Sequence, residues 1–230
     1  MSAEGSVEAN DDARAVIWDL DGVIADSAAL HLASWRAMMA ELGQELDEEA
    51  FRKLFGMINS EAVPLLLKRP LTPEEVQRIS LRKEAIFRSL VAGRLRPIPG
   101  ALEWIARLRA EGWRQAVASS APRLNIATMF DALGLQGAFD AVICGEDLPA
   151  GKPDPAVFLA AAQAIGVPPA RCVVVEDAVV GVAAARRAGM KCIAVTTTHP
   201  ASSLADADLI ATTPAALADD AFARLLETKR

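Results

Sequence analysis

Five or six short apolar runs, at residues 15–18, 115–118, 141–144, 172–175, 192–195 and 209–210, constrain this chain most. Each is too short for a helix and rich in Val, Ile, Ala or Cys, which suits a buried strand. Helical patterns at 155–165, 178–188 and 214–226 separate the later runs. That alternation predicts βαβ units and an α/β fold with a doubly wound parallel sheet. In such a sheet a ligand site lies beyond the carboxyl ends of the strands.

The interval from Ser27 to Arg96 breaks the rhythm and offers no convincing strand. Amphipathic patterns at 30–42, 47–55, 60–67 and 72–91 predict a small all-helical domain over 28–96, inserted into a core made of 13–27 and 97–230. Thr72-Pro73-Glu74-Glu75 has the residues of a capping box with Pro at the first helical position. Gly43 and Gly93 stand where helices should stop, and Arg96-Pro97-Ile98-Pro99-Gly100 marks the return to the core.

Bulk properties exclude several classes. The 230 residues are 52% hydrophobic with a net charge of −6. A real core is affordable, and no basic stripe with aromatics points to nucleic acid. No apolar stretch is long enough to span a membrane. The acidic, polar segment from Met1 to Asp12 lacks a signal-peptide layout and is expected to be a disordered tail. Cys144, Cys172 and Cys192 form no CxxC pair, which fits reduced thiols and a cytoplasmic protein.

Chemistry gathers at four strand ends. Asp19-Leu20-Asp21-Gly22-Val23 follows the first run. Side chains two apart on extended backbone face the same way, so Asp19 and Asp21 can share a pocket, where they need a cation or a proton. A surface Asp-Gly turn is the plain alternative; an EF-hand lacks the required spacing. Ser119 and Ser120 follow the second run and suit a phosphate oxygen, or form an ordinary turn. Lys152, in Gly151-Lys152-Pro153-Asp154-Pro155, precedes a helix expected to be capped by Asp154. It is either a point charge for an anion or a solvated loop lysine. Glu176-Asp177 closes the run of valines, as hard oxygen ligands for a metal or with Asp177 as a helix cap. Together these are the parts needed for phosphoryl transfer.

With those four motifs in order, the chain resembles the haloacid dehalogenase superfamily, in the subgroup holding β-phosphoglucomutase and small phosphatases. The likeness spans about Arg14 to Thr213. It implies that Asp19 is the nucleophile of an aspartyl-phosphate mechanism and Asp21 the general acid/base. Ser119 and Lys152 would hold the phosphoryl group. Mg²⁺ would be held by Asp19, the backbone carbonyl of Asp21, Glu176 and Asp177. The carboxyl of Asp21 is expected to be raised by anionic surroundings. The helical insert would be the subgroup's cap, with His31, Gly56, Asn59 and Lys83 near substrate and Ser120 and Arg123 facing them from the core.

The stretch from Phe55 to Asn59 lacks the arginine with which the mutase grips a distal phosphate, and Ala121-Pro122 replaces a polar and lysine pair. Those departures favour a phosphatase for a small phosphorylated metabolite, a sugar phosphate above all, over a mutase. A non-catalytic binding protein on the same fold is the alternative of another class. The expected assembly is a monomer or weak dimer.

Overall fold

A computed structural model describes residues 13–49, 51, 57–148 and 150–227. The expected tail and Gly56 lie outside them. Six parallel strands form one sheet in the order β3-β2-β1-β4-β5-β6: β1 (Ala15–Trp18), β2 (Arg114–Ala118), β3 (Ala141–Ile143), β4 (Cys172–Glu176), β5 (Lys191–Val195) and β6 (Leu209–Ala211). The α/β doubly wound expectation therefore holds.

Strand alternation builds two cores. Val16, Trp18, Val173, Val175, Ile193 and Val195 join one apolar cluster, while Ala15, Ile17, Cys172, Val174, Cys192 and Ala194 join the other. A strand buried on both faces needs a continuous apolar run, and the sequence supplies one. The crossover helices cover these faces: α4 (Ala101–Ala110), α5 (Arg123–Leu133), α6 (Ala156–Ala164), α7 (Val179–Arg187) and α8 (Ala221–Glu227). Neither α4 nor α5 was singled out by sequence pattern.

Two expected boundaries fail for local reasons. The run 214–226 is not one helix: Pro214–Ala216 is a short 3₁₀ turn and α8 starts later. The turn is held from outside, because the Trp104 indole donates to Pro214 O at 2.9 Å and Ala215 N donates to Pro99 O at 3.0 Å. Helix α6 begins one residue later than expected, yet Asp154 Oδ1 still accepts the Ala156 N–H at 2.9 Å.

Between β1 and β2 lie α1 (Ala28–Glu41), α2 (Asn59–Leu67) and α3 (Pro73–Val91), with Glu48, Glu49 and Phe51 also helical. The rest of the helix expected over 47–55 is outside the described residues. Both bonds of the Thr72–Glu75 capping box form. These helices enclose their own apolar cluster of Trp35, Met38, Met39, Phe51, Val63, Leu66, Leu67 and Ile79. The segments entering and leaving this layer are paired. Ala25 and Pro97 form an antiparallel bridge, flanked by Asp26 N to Arg96 O at 2.9 Å and Ile98 N to Ile24 O at 2.8 Å. No helix among the described residues is long and apolar enough to cross a membrane.

Candidate active site

The sheet register places the first carboxylate. Trp18 is level with Val117 on one side and Val175 on the other, so Asp19 leaves the sheet between Ala118 and Glu176. Asp19 N donates to Val175 O at 3.0 Å, which holds this exit. Lys152 reaches across from the loop before α6. Its Nζ donates to Asp19 Oδ1 at 2.7 Å, Glu176 Oε1 at 2.6 Å and Ala118 O at 3.3 Å. It is buried, so the solvated-lysine alternative is excluded.

Glu176 and Asp177 are fixed differently. Glu176 Oε2 accepts the backbone N–H groups of Asp177 and Ala178, at 2.7 and 2.8 Å. Gly181 lies so close to this carboxylate that a β-carbon there would overlap it. Asp177 makes no capping bond to α7; its Oδ2 instead accepts from the Thr198 hydroxyl. His199 Nδ1 lies 3.1 Å from Asp177 O and 2.9 Å from Thr198 Oγ1. Gly22 has a φ of +77°, and a β-carbon there would meet Asp177 Oδ2. Only glycine satisfies both demands.

Carboxylate oxygens of Asp19, Glu176 and Asp177 lie within 4.8 Å of one another, all buried. Burial, opposed by Lys152 and aided by Glu176, pushes the Asp19 carboxyl up to about 7. Burial, then Glu176 and Asp19, hold Asp177 well above the usual carboxylate range. One lysine does not neutralise three acids, so the cluster suits a hard divalent cation with oxygen ligands. Glu176 already accepts on both oxygens, which leaves Asp19 and Asp177 the less committed donors.

Asp21 lines a cavity of about 890 Å³ between the helical layer and the strand ends, close enough to Asp19 for its charge to be felt there. Its Oδ1 accepts from Ser27 Oγ at 2.5 Å and lies 3.0 Å from His31 Nε2. His31 stacks on Phe87 with centroids 4.0 Å apart, and its Nδ1 lies 2.8 Å from Lys83 Nζ. Lys83 also donates to Glu84 Oε1 at 3.0 Å. The expected upward shift of Asp21 is overturned. Burial does push it up, but His31, Ser27 and Lys83 outweigh that and hold the carboxyl below its ordinary value. The sequence points to His31 and Lys83 as residues near the substrate but not to their hold on Asp21, and Ser27 carries no signal of its own.

The family model for haloacid dehalogenase-like hydrolases matches residues 13–189. The chain belongs to that family. The chain is 31% identical over 205 residues to a β-phosphoglucomutase from Bacillus subtilis, covering 86% of this chain and 88% of that one. It is 33% identical over 197 residues to a chloroplastic 5-amino-6-(5-phospho-D-ribitylamino)uracil phosphatase from Arabidopsis thaliana, covering 84% of this chain. The chain spans 52% of that relative's length, and 19% of the Arabidopsis thaliana protein Suppressor of Quenching 1. The fold superposes on a crystal structure of β-phosphoglucomutase from Clostridium difficile with a TM-score of 0.85 at 24% identity, covering 94% of this chain and 97% of that one.

The remaining expected residues divide. Ser119 is buried, and its Oγ accepts the Ala121 N–H at 3.1 Å, leaving the hydroxyl proton to donate. Ser120, Asn59 and Lys83 line the cavity. Asn59 Nδ2 donates to Glu84 Oε1 at 2.6 Å. Arg123 does not join them: it is exposed and its guanidinium pairs with Asp147 at 2.5 Å. It therefore does not face the cap residues across the cavity as the resemblance implied. Ser27, Glu84, Arg88, Asn125 and Thr198 were missed, because single polar residues inside helices and loops carry no motif. The three cysteines are buried and form no disulfide among the described residues, and burial pushes the Cys172 thiol up to about 12, far from a nucleophile's range.

Proposed function

We propose that this chain is a Mg²⁺-dependent phosphatase of a small phosphorylated metabolite, probed first as sugar phosphates. The carrying observation is the placement of Asp19, Lys152, Glu176 and Asp177 at adjoining strand ends, with Asp21 opening into the cavity beside them. The named phosphatase among its relatives supports the same reaction.

In this reading Asp19 attacks phosphorus, the ester P–O bond breaks and the departing oxygen takes a proton from Asp21. Asp21 then removes a proton from water, which attacks the aspartyl-phosphate. Inorganic phosphate leaves and Asp19 is regenerated. Lys152 and the Ser119 hydroxyl hold the phosphoryl oxygens. Asp21 rests ionised, so it takes up its proton as the dianionic phosphoryl group arrives and raises its pKa. Asp19, Asp177 and Glu176 would hold Mg²⁺, with the Asp21 carbonyl as the further expected ligand. The ion would supply positive charge that keeps Asp19 ionised and offsets charge on phosphorus.

The test is phosphate release from a panel of sugar phosphates, with Mg²⁺ and with EDTA, by the native chain and by Asp19→Asn. Mg²⁺-dependent release that vanishes in the variant is expected; undiminished release by Asp19→Asn sinks the reading. The second reading is a phosphosugar mutase, favoured by the Bacillus subtilis relative. Isomer interconversion with little free phosphate, primed by a sugar bisphosphate, would select it. The free thiols fit a reducing compartment.

A further inference from the structure

The cavity holds a cation that the catalytic reading does not use. Arg88, on α3, lines it together with Asp21, His31 and Ser120. Lys83, the cavity's other long cation, is committed: it is buried, ion-paired with Glu84 at 3.0 Å and bonded to His31. Arg88 is not. Among the described residues no carboxylate lies within ion-pair distance of its guanidinium.

Its position is nonetheless fixed. Arg88 Nη1 donates to Asn125 Oδ1 at 2.8 Å, and Asn125 Nδ2 donates to Glu84 Oε2 at 2.5 Å. Asn125 is fully buried on α5, so the sheet side of the cavity clamps this arginine from below. Its amide cannot turn over without losing both bonds. One nitrogen of the planar fork is thus anchored, and the remaining N–H groups are left for a ligand. Three acids share the cavity wall: Asp21 is held by Ser27 and His31, Glu84 is ion-paired with Lys83, and Glu146 Oε2 accepts the Arg123 backbone N–H at 3.2 Å.

A guanidinium anchored at one nitrogen, lining the same cavity as Asp21 and ion-paired with no acid among the described residues, suits a second anion on the substrate. We propose that Arg88 is a specificity-determining residue that grips a second anionic group, a carboxylate or a second phosphate, on the leaving-group side of the phosphoester. This rests on the phosphatase reading and narrows its substrate class to esters carrying two anionic groups.

The experiment compares kcat/KM for 6-phosphogluconate and fructose 1,6-bisphosphate with that for glucose 6-phosphate. The native chain should prefer at least one dianionic-tailed ester. Arg88→Gln should lower that preference tenfold or more, mainly through KM, and Arg88→Lys should restore part of it. A preference for glucose 6-phosphate in the native chain, or an unchanged ratio in Arg88→Gln, overturns the proposal. Because Arg88→Gln could perturb Asn125, thermal unfolding of each variant accompanies the kinetics, and rescue by Arg88→Lys separates charge from folding. A second arm needs no turnover. Calorimetric titration of 6-phosphogluconate and fructose 1,6-bisphosphate into Asp19→Asn, with and without Arg88→Gln, should show at least tenfold weaker binding of one of them in the double variant. Equal affinity, or no binding by Asp19→Asn, overturns the assignment. If the native chain releases phosphate from no member of the wider panel, the phosphatase reading fails while this titration still decides Arg88.

Discussion

His31 Nδ1 lies 2.8 Å from Lys83 Nζ, and Lys83 is ion-paired with Glu84. An ammonium can only donate, so Nδ1 must accept, and the ring proton sits on Nε2, aimed at Asp21. A residue on the third helix of the insert thereby sets the tautomer of a residue on the first, and through it the state of the acid/base carboxyl.

Substituting this chain at either end should therefore give graded losses. Asp21→Asn should lower kcat by about a hundredfold to ten-thousandfold, the usual range for a general acid/base. His31→Gln should cost less and should move the basic limb of the kcat/KM profile upward, because the ring helps hold Asp21 below its ordinary value and Asp21 must carry a proton for the first step. Steady-state rates across pH check both; a basic limb unmoved in His31→Gln would show that the ring does not tune Asp21.

Lys152→Met leaves Asp19 and Glu176 buried without their shared partner. Removing one member of a buried ion pair costs about 3–5 kcal/mol. Denaturant unfolding in EDTA at neutral pH should show a loss of that order, with phosphate release abolished. Lys152→Arg should not restore activity, since a planar fork cannot replace a point charge bonded to three oxygens.

Mg²⁺ should stabilise the protein more at pH 8 than at pH 5.5. The folded Asp19 carboxyl titrates at about 7 against an ordinary 3.8, so the native state binds the extra proton between those values. Stability without metal then falls as pH rises through that window. A divalent cation competes with those protons, so its effect grows as they leave. Thermal unfolding with and without Mg²⁺ at the two pH values checks this; equal shifts would remove the cation from the carboxylate cluster.

Glu84 has the opposite sign. Burial pushes its carboxyl up, but Lys83, His31 and Asn59 outweigh that and hold it below its ordinary 4.5. Its contribution is complete above 4.5 and is lost as pH falls through the depressed folded value. Glu84→Gln should thus be less stable than the native chain at pH 7, with the gap closing in acid. Thermal midpoints from pH 7 to pH 3 read this directly, and a gap that widens in acid would reverse the assignment.

What could be read from the sequence followed strand periodicity and strand-end chemistry. The runs ending at Trp18, Ala118 and Val175 were legible because two-sided burial demands unbroken apolar residues. Their spatial order was not, because parallel strands carry no local signal of their neighbours. Asp19, Lys152, Glu176 and Asp177 were legible because each terminates an apolar or Pro-bounded segment. The downward shift of Asp21 was not, since Ser27, His31 and Lys83 meet it only after the helical insert folds back. Arg123 was misread for the same reason in reverse: Asp147, 24 residues on, claims it.

The bridge between Ala25 and Pro97, with a backbone bond on either side, joins the only two covalent routes into the helical insert. Two antiparallel segments tied at successive points behave like a strap: the insert can rock about the tied pair but cannot slide along it without breaking those bonds. His31 starts only a few residues beyond this strap, and Asp21 only a few before it. The proton-handling pair therefore sits next to the pivot along the chain, where a given rotation moves atoms least, so rocking of the insert leaves the distance between Asp21 and His31 nearly unchanged.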